Sequence, residues 1–414
     1  MPVMVSVPDL QPGMRLYRSL YNGYLVMLPA GKVLDEDDIG SLRRRFPDVH
    51  LSIGDPVLDD LVEFQDDSNN QEVAAQVQQR LAKVLTPARQ MLKARTSLEG
   101  VDLGGLQRSV NSVITYMQEN PVTAALLLSS EDWANHLQEH PANVFYLSLL
   151  IGGTIRQYVH QERQRQSAAN RIPFQDGMNL TALALGALFH DIGMVPLESL
   201  YGKARPLSPE EMNLVRQHPD TGAAMLPKEF NPLARLIVRT HHENQTGTGY
   251  PAGVRGEKLH IFSRIIRVAD AYDAACRPQV YKQARTPIRA LWEMTAGPYS
   301  RLYDPVVLKV FAGLIQPFPI GAKIRLSCGR FGVVVRHNRL TPFRPTIIIA
   351  FDENGRRFAQ DRLEGPLDLT EHPEIRLVEF RSELLQYLEH TPSAHSADQD
   401  EAATAGSLFA CVFP

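Results

Sequence analysis

The stretch TALALGALFHDIG, residues 181–193, is an apolar segment of helical length that ends on His190 and Asp191. An apolar run of this kind predicts a helix buried in the core of a domain. Such a helix carries the imidazole and the carboxylate into the interior, where an unsatisfied polar group is costly. Both side chains must therefore be paired, hydrogen-bonded or bound to a metal ion. Taken alone, a His-Asp pair at a helix end is more often a cap or an ion pair.

Further histidines and aspartates occur on neighbouring predicted helices. His136 and His140 are four residues apart and so share one helix face. Asp270 lies in the mostly apolar stretch IIRVADAY, where an ion pair with Arg267 on its own helix is the alternative to a ligand role. Imidazole and carboxylate without cysteine suit a first-row metal, and more than four ligands require more than one ion. The candidate metal ligands are His136, His140, His190, Asp191, His218, His241, His242 and Asp270.

The segment HHENQTGTGYP, residues 241–251, places two of these histidines directly before a glycine-rich loop. Glycine permits close backbone approach, and Tyr250 offers a ring face or a hydroxyl group to a ligand. We expect Gly247, Gly249, Tyr250 and Pro251 to shape a lip where a substrate enters. The alternative interpretation is a plain tight turn.

Composition limits the remaining possibilities. The chain has 414 residues, of which 44% are hydrophobic and 21% charged, which predicts a globular protein of two or three domains. A net charge of −3 gives no electrostatic reason for a nucleic-acid polymer or an anionic membrane as main partner. Three scattered cysteines indicate no disulfide framework. The N-terminus lacks the features of a signal peptide, and no uncharged apolar run reaches roughly 18 residues. We therefore expect a cytoplasmic location.

The pattern of periodicities predicts a multi-domain, mainly α protein, with an all-helical bundle between two small β-rich modules. Short alternating runs at the N-terminus and again after residue 320 predict the strands, and Ser208-Pro-Glu-Glu211 is a helix start. A long helix is expected around residues 73–95. The predicted segments are a β-rich module at 1–65, a helical linker at 66–120, the helical bundle at 121–315, a β-rich module at 316–390 and a disordered tail at 391–414.

Five motifs of the helical segment resemble those of HD-GYP domains, a branch of the HD superfamily of metal-dependent phosphohydrolases. They are HPANV (140–144), FHDIG (189–193), LSPEEMNLVRQHP (207–219), HHE…GTGYP (241–251) and SRIIRVADAYDA (263–274). The resemblance implies an all-helical bundle. It also implies hydrolysis of the bacterial second messenger cyclic di-GMP to linear pGpG, to GMP or to both.

The resemblance also implies roles for the ligand residues. His140, His190, Asp191 and Asp270 match ligands shared across the HD superfamily, with His190 and Asp191 at the catalytic centre and Asp191 bridging two ions. The additional ligands of this branch match His218, His241 and His242. Members with a third ion have a glutamate where this chain has His136, so two or three divalent ions are expected, iron first, with manganese or nickel as alternatives. Two ions about 3.5–4 Å apart can share one hydroxide as the nucleophile.

Substrate-binding positions carry over in the same way. The resemblance implies substrate contacts at Gly249, Tyr250, Pro251, Arg264 and Lys282. The sequence departs from the family pattern at three places near the substrate. Met194 replaces the lysine of HDIGK, Thr246 replaces an aspartate, and Gln279 begins QVYK where RPYR is usual. These departures remove charge from substrate-facing positions and leave the ligand set whole.

Three functions are compatible with these observations. The first is a cyclic di-GMP phosphodiesterase. The second is a weakly catalytic module that binds a cyclic dinucleotide and signals through protein contacts. Diguanylate cyclase (GGDEF) proteins would dock on the glycine-rich loop that ends in Gly249, Tyr250 and Pro251, here called the GYP loop. The third is an HD phosphohydrolase that acts on another cyclic dinucleotide or nucleotide. The helix around residues 73–95 would allow a homodimer.

Overall fold

The computed structural model describes most of the helical bundle and of the two β-rich segments. His136, Lys282, Gln279, most of the helix predicted around residues 73–95 and the tail at 391–414 lie outside the described residues. The chain divides into two compact units: Val77–Ile315 with Thr391–Pro414, and Met1–Gln76 with Gln316–His390. The described residues are 3–16, 20–22, 25–28, 31–47, 50–54, 61, 79–80, 102–119, 140–165, 179–200, 203, 205–277 and 284–389.

Where the structure describes it, the N-terminal segment contains five short strands and one α-helix. Strands β1 and β2 flank β5 in an antiparallel sheet, and β3 pairs with β4. Asp35 starts helix α1 with a capping box, because its carboxylate accepts the Asp38 N–H and the Asp38 carboxylate accepts the Asp35 N–H. The elements are β1 (Val3–Ser6), β2 (Arg15–Leu16), β3 (Leu20–Asn22), β4 (Leu25–Leu28), α1 (Glu36–Arg45) and β5 (His50–Gly54).

The helical unit contains ten α-helices within the described residues. They begin at the expected polar residues: Ser208 forms a capping box with Glu211, and Asn179, Asn231 and Asp304 each accept backbone N–H groups of a first turn. The helices are α2 (Leu103–Glu119), α3 (His140–Thr154), α4 (Arg156–Arg165), α5 (Leu180–Phe189), α6 (Pro209–Val215), α7 (His218–Met225), α8 (Pro232–Thr240), α9 (Ile261–Cys276), α10 (Pro287–Thr295) and α11 (Pro305–Leu314).

Helix α5 lies at the centre of this unit, as its sequence predicts. All of its residues are buried, and it packs against α3 on one side and α8 on another, while α9 packs against α3. The segment Leu180–Leu197 is long and apolar enough to cross a membrane, but 72% of it is buried inside the protein, as expected of a core helix. The predicted helical domain is confirmed.

The C-terminal segment forms a six-stranded antiparallel sheet with the order β11-β10-β6-β7-β8-β9. Gly355, at φ 77°, lies in the turn Glu353-Asn354-Gly355 that follows β8. Val333, Ala350 and Phe351 form a small core, against which Leu61 of the N-terminal segment packs. The C-terminal β structure is therefore confirmed. The strands are β6 (Lys323–Leu326), β7 (Phe331–Arg336), β8 (Thr346–Phe351), β9 (Glu364–Asp368), β10 (Leu377–Phe380) and β11 (Glu383–Leu384).

Candidate metal centre

Five helices bring seven of the eight predicted ligands to one place. Helix α5 ends immediately before His190 and Asp191, and α8 ends immediately before His241 and His242. His218 and His140 are the first residues of α7 and α3, and Asp270 lies in the middle of α9. His136 is outside the described residues, so its ligand role stays a prediction.

One group of ligand atoms surrounds the Oδ1 atom of Asp191. His218 Nε2 is 3.4 Å and His241 Nε2 is 3.6 Å from that oxygen, and the two nitrogens are 3.1 Å apart. His242 completes this group, in which all ligand atoms lie within 4.8 Å of one another. A single cation placed among them would replace several close contacts between lone pairs with coordinate bonds.

A second group surrounds the other oxygen of the same carboxylate. Asp191 Oδ2 is 3.3 Å from His190 Nε2 and 3.7 Å from His140 Nε2, and the two imidazole nitrogens are 3.3 Å apart. Asp270 joins both groups, since its Oδ1 is 3.0 Å from His140 Nε2 and its Oδ2 is 3.6 Å from His242 Nδ1. Each oxygen of Asp191 therefore faces a different set of ligands, as the bridging role requires. No Arg267–Asp270 ion pair occurs among the described residues.

Three of the histidines are held in one tautomer by the helix that precedes them. His190, His218 and His241 each donate a hydrogen bond from Nδ1 to the carbonyl oxygen three residues earlier, at 2.7 Å in every case. A hydrogen on Nδ1 leaves the Nε2 lone pair free, and Nε2 is the atom that faces Asp191. The sequence analysis did not predict this orientation, although the position of each histidine just after a helix was visible.

His140 is oriented by a carboxylate that the sequence analysis did not select. His140 Nδ1 donates to Asp273 Oδ2 at 2.7 Å, and the same carboxylate accepts hydrogen bonds from Asn143 and Arg277. Asp273 is buried and lies three residues after Asp270, so both carboxylates project from one face of α9. A metal-ligating histidine commonly donates its other N–H to a carboxylate. The signal available in the sequence was the repeated aspartate in ADAYDA.

Two histidines of the first group have the protonation state that a cation site requires, whereas hydrogen bonds to Asp270 and Asp273 outweigh burial and raise the pKa of His140 to about 10. Burial and the neighbouring His190 and His218 lower the pKa of His241 to about 4, and burial beside His241 lowers the pKa of His242 well below its usual value. Both imidazoles are therefore neutral at pH 7, which is the form that binds metal. Burial alone would raise the pKa of Asp191, but the histidines around it, His190 first, hold that pKa well below its ordinary value.

Two buried atoms of the cluster have no hydrogen-bond partner among the described residues. They are Asp191 Oδ1 and His242 Nε2. Buried polar atoms are rarely left without a partner, and a bound cation would give both of these atoms one. The donor set is nitrogen and oxygen, which suits divalent first-row metals. The residues present therefore fit a metal ion, and the two groups could each hold one.

Gly193 allows the two halves of the centre to approach each other. A Cβ atom at this position would lie 2.0 Å from the His218 carbonyl oxygen and 2.6 Å from the Gly222 backbone nitrogen. Backbone on backbone at this distance leaves no room for any side chain. The glycine of HDIG is thus the residue that lets His218 reach the carboxylate of Asp191.

The GYP loop folds back on the histidine pair. A Cβ atom on Gly249 would lie 2.4 Å from the His242 carbonyl oxygen, and the Tyr250 ring stacks on the His242 imidazole with centroids 4.6 Å apart. Pro251 follows through a cis peptide bond. Glu243, which the sequence analysis did not assign, is buried and accepts backbone N–H groups of the loop. The plain tight turn is thus too simple a description, because the loop covers one ligand.

The structure describes only one of the two charged residues that were predicted to contact the substrate. Arg264 is buried and donates to the Leu259 carbonyl, to Glu162 and to Asp304. These protein partners engage the whole guanidinium, and its phosphate role stays a prediction. Met194 is buried, so the residue in the place of the family lysine packs in the interior. Lys282 lies outside the described residues.

Comparison with known proteins agrees with this geometry. Residues 162–307 match the family described as HD domain, and residues 323–383 match the family described as KOW domain associated with HD domain. A Pseudomonas aeruginosa protein named as a cyclic di-GMP phosphodiesterase is 32% identical over 170 residues, which are 40% of this chain and 41% of that protein.

Two further relatives carry different names. A Xanthomonas campestris response regulator named as a cyclic di-GMP phosphodiesterase is 35% identical over 127 residues, covering 30% of this chain and 33% of that protein. A Vibrio cholerae protein named 3′3′-cGAMP-specific phosphodiesterase 3 is 36% identical over 126 residues, covering 30% of this chain and 27% of its own length. The chain thus spans less than half the length of each of these relatives. Over residues 162–307 the chain is therefore similar to HD domains, and over residues 323–383 it is similar to KOW domains associated with HD domains.

Proposed function

We propose that this chain is a metal-dependent phosphodiesterase that hydrolyses cyclic di-GMP to linear pGpG, to GMP or to both. One observation carries the proposal: a single carboxylate, that of the mostly buried Asp191, presents each of its oxygens to a separate group of imidazoles. A ligand set of this form holds two cations side by side, as enzymes that cleave phosphodiesters require. The names of the relatives supply the substrate class.

Each side chain has a distinct task in this proposal. His140, His190 and Asp270 bind one ion, and His218, His241 and His242 bind the other, with Asp191 between them. Asp273 and three helix carbonyls fix the imidazole orientations. When bound, divalent ions generate a nucleophile from water near neutral pH and neutralise charge on the phosphodiester. Iron is the first choice, with manganese or nickel as alternatives.

The loop and the outlying residues have secondary tasks. Gly249 and Pro251 hold Tyr250 against His242, which excludes water from one side of the ligand group and offers a ring edge to a base. A third ion at His136 and phosphate contacts from Arg264 and Lys282 stay predictions of the family resemblance.

The test is direct. The protein is purified with iron or manganese, its metal content is measured, and cyclic di-GMP is added while linear product is followed by chromatography. We expect close to two ions per chain and formation of pGpG or GMP. Asp191→Asn should lose most of the bound metal and all turnover, whereas Asp220→Asn, an exposed carboxylate paired with Arg239, should retain both. Full metal loading without any product would refute the catalytic part of the proposal.

A second candidate follows from the relatives. The Vibrio cholerae protein named for 3′3′-cGAMP is 36% identical to this chain over 126 residues, close to the 35% over 127 residues of the Xanthomonas campestris relative named for cyclic di-GMP. Parallel assays with both cyclic dinucleotides at equal concentration compare kcat/KM. A ratio in favour of the hybrid dinucleotide would move the assignment to that substrate.

A binding and signalling module is the third candidate, and Met194 favours it. This residue replaces a charged family position with a buried apolar side chain. Tight cyclic dinucleotide binding without product would support this candidate, and retention of a diguanylate cyclase by the GYP loop would identify its partner. Light scattering at several concentrations tests whether the chain forms the homodimer that a helix around residues 73–95 would allow.

A further inference from the structure

Arg267 is a buried cation next to the metal centre, and it lacks a counter-charge among the residues that the structure describes. Arg267 has 6% of its surface exposed, and it lies on the same face of α9 as Asp270. Among the described residues no carboxylate lies within ion-pair distance of it. Arginine is almost never buried unless it is paired, so a missing partner calls for a physical reason.

Arg264, one turn earlier on the same helix, is an example of a buried arginine whose charge is neutralised by carboxylates. Its guanidinium reaches Asp304 at 2.9 Å and Glu162 at 3.0 Å and donates twice to a carbonyl oxygen. Arg267 makes a single hydrogen bond within the described residues, from Nε to Asn244 Oδ1 at 3.0 Å. A guanidinium has five N–H donors, so four remain for a ligand.

Two tyrosine hydroxyl groups near Arg267 and the metal centre also lack a hydrogen-bond partner among the described residues. Its guanidinium carbon lies 5.3 Å from the centre of the Tyr303 ring. Tyr303 is buried, and its hydroxyl oxygen has no hydrogen-bond partner among the described residues; the same holds for the Tyr250 hydroxyl oxygen. Tyr250 stacks on His242, whose Nδ1 lies 3.6 Å from Asp270 Oδ2, and Asp270 is one turn after Arg267 on α9.

Arg267 and the hydroxyl groups of Tyr303 and Tyr250 are called the cradle here. The cradle lies next to the ligand group around Asp191 Oδ1. Tyr250 stacks on His242, and Asn244, which fixes Arg267, is two residues beyond that ligand. A fixed cation and two hydroxyl donors beside a metal site match the non-bridging oxygens of a phosphate group. We propose that Arg267, with the hydroxyls of Tyr303 and Tyr250, binds a phosphate oxygen of the nucleotide substrate. This inference rests on the proposed function for the identity of the nucleotide.

The proposal assigns to Arg267 the positive charge that Met194 does not supply. It also separates two arginines of α9 that look alike in the sequence: Arg264 is engaged by protein carboxylates, whereas Arg267 is available to a ligand. Because the cradle recognises phosphate and not a base, it should bind inorganic phosphate weakly and a phosphodiester more tightly.

The experiment compares wild type with Arg267→Gln, Arg267→Lys and Tyr303→Phe, all loaded with manganese. Calorimetry measures the affinity for inorganic phosphate, and kinetics give KM and kcat for cyclic di-GMP. Arg267→Gln should weaken phosphate binding and raise KM by about 10- to 100-fold. Arg267→Lys keeps the positive charge but not the planar set of N–H donors of the guanidinium. It should therefore recover part of the phosphate affinity that Arg267→Gln loses. Tyr303→Phe, which removes one hydroxyl, should weaken phosphate binding by about 2- to 10-fold.

Controls separate this inference from folding defects. Arg239→Gln removes an exposed arginine paired with Asp220 and should leave phosphate affinity and KM unchanged. Metal content and the thermal midpoint of each variant show whether it is folded and loaded, and Tyr303→Phe keeps the test valid if Arg267→Gln loses metal.

The outcomes also separate this inference from the proposed function. Phosphate affinity that is absent in wild type, or equal in wild type and in a metal-loaded Arg267→Gln or Tyr303→Phe, overturns the cradle even if cyclic di-GMP is hydrolysed. Phosphate binding that depends on Arg267 supports the cradle even if cyclic di-GMP is not a substrate, in which case only the proposed function fails.

Discussion

Replacing Gly193 with alanine should dismantle half of the metal centre. The new Cβ atom would begin 2.0 Å from the His218 carbonyl oxygen, and contacts under 3.0 Å essentially never occur for real Cβ atoms. The neighbouring backbone must therefore move by about 1 Å. Metal ligands tolerate deviations of only about 0.2 Å, so the group formed by Asp191, His218 and His241 cannot keep its geometry.

The expected result has two parts. Overpacking of this kind costs about 1–3 kcal/mol in the free energy of unfolding. The affinity of the His218 group for manganese should fall by more than about tenfold, because positioning errors above about 0.5 Å disrupt a binding constellation. The group with His140 and His190 should lose less, so the metal content should fall from two ions towards one per chain.

The assay combines elemental analysis with urea denaturation in the presence of a chelator, so that bound metal does not contribute to stability. Gly153→Ala is the matched control. Gly153 is exposed near the end of α3, and a Cβ atom there would meet nothing within 4 Å. This variant should keep its metal and gain up to about 1 kcal/mol of helix stability. Wild-type metal content and turnover in Gly193→Ala would refute the reasoning.

Three further substitutions test other contacts. Met194→Lys should lower the free energy of unfolding by several kcal/mol without raising turnover, since Met194 is 2% exposed and lysine would be buried there; higher kcat in that variant would contradict its placement. Glu243→Gln should cost about 1–3 kcal/mol and raise KM, because one loop N–H loses its acceptor; an unchanged urea midpoint would count against this role. Asp304→Asn should lower the free energy of unfolding in urea by about 1–3 kcal/mol, because the buried Arg264 then keeps only Glu162 as a carboxylate partner. A variant as stable as the wild type would show that this ion pair is not needed for stability.

The sequence was sufficient for the parts of the site that are local. The apolar run before His190 predicted a buried helix, and α5 is buried throughout. The capping box at Ser208 was visible from three residues. The ligand set could be read from motifs because each motif carries one or two ligands, most of them at a helix end, and the described ligands lie close together.

The contacts that could not be predicted depend on distant residues. Arg264 pairs with Glu162 and Asp304, which are 102 and 40 positions away, so no local pattern distinguishes it from a phosphate ligand. The lack of a carboxylate partner for Arg267 among the described residues could not be predicted either, because spacing alone allowed a pair with Asp270. Asp273 was overlooked for a related reason: its partner His140 is 133 positions away.

Three of the metal-facing histidines share a position that explains how the site is built. His190, His218 and His241 each follow the last turn of a helix, where backbone carbonyls lack the N–H donors of a continuing helix. Each imidazole donates Nδ1–H to one of these carbonyls, which satisfies the helix end and fixes the tautomer in one contact. The C-terminal ends of α5, α6 and α8 therefore orient three Nε2 lone pairs towards Asp191 before any ion arrives, and this orientation prepares the site.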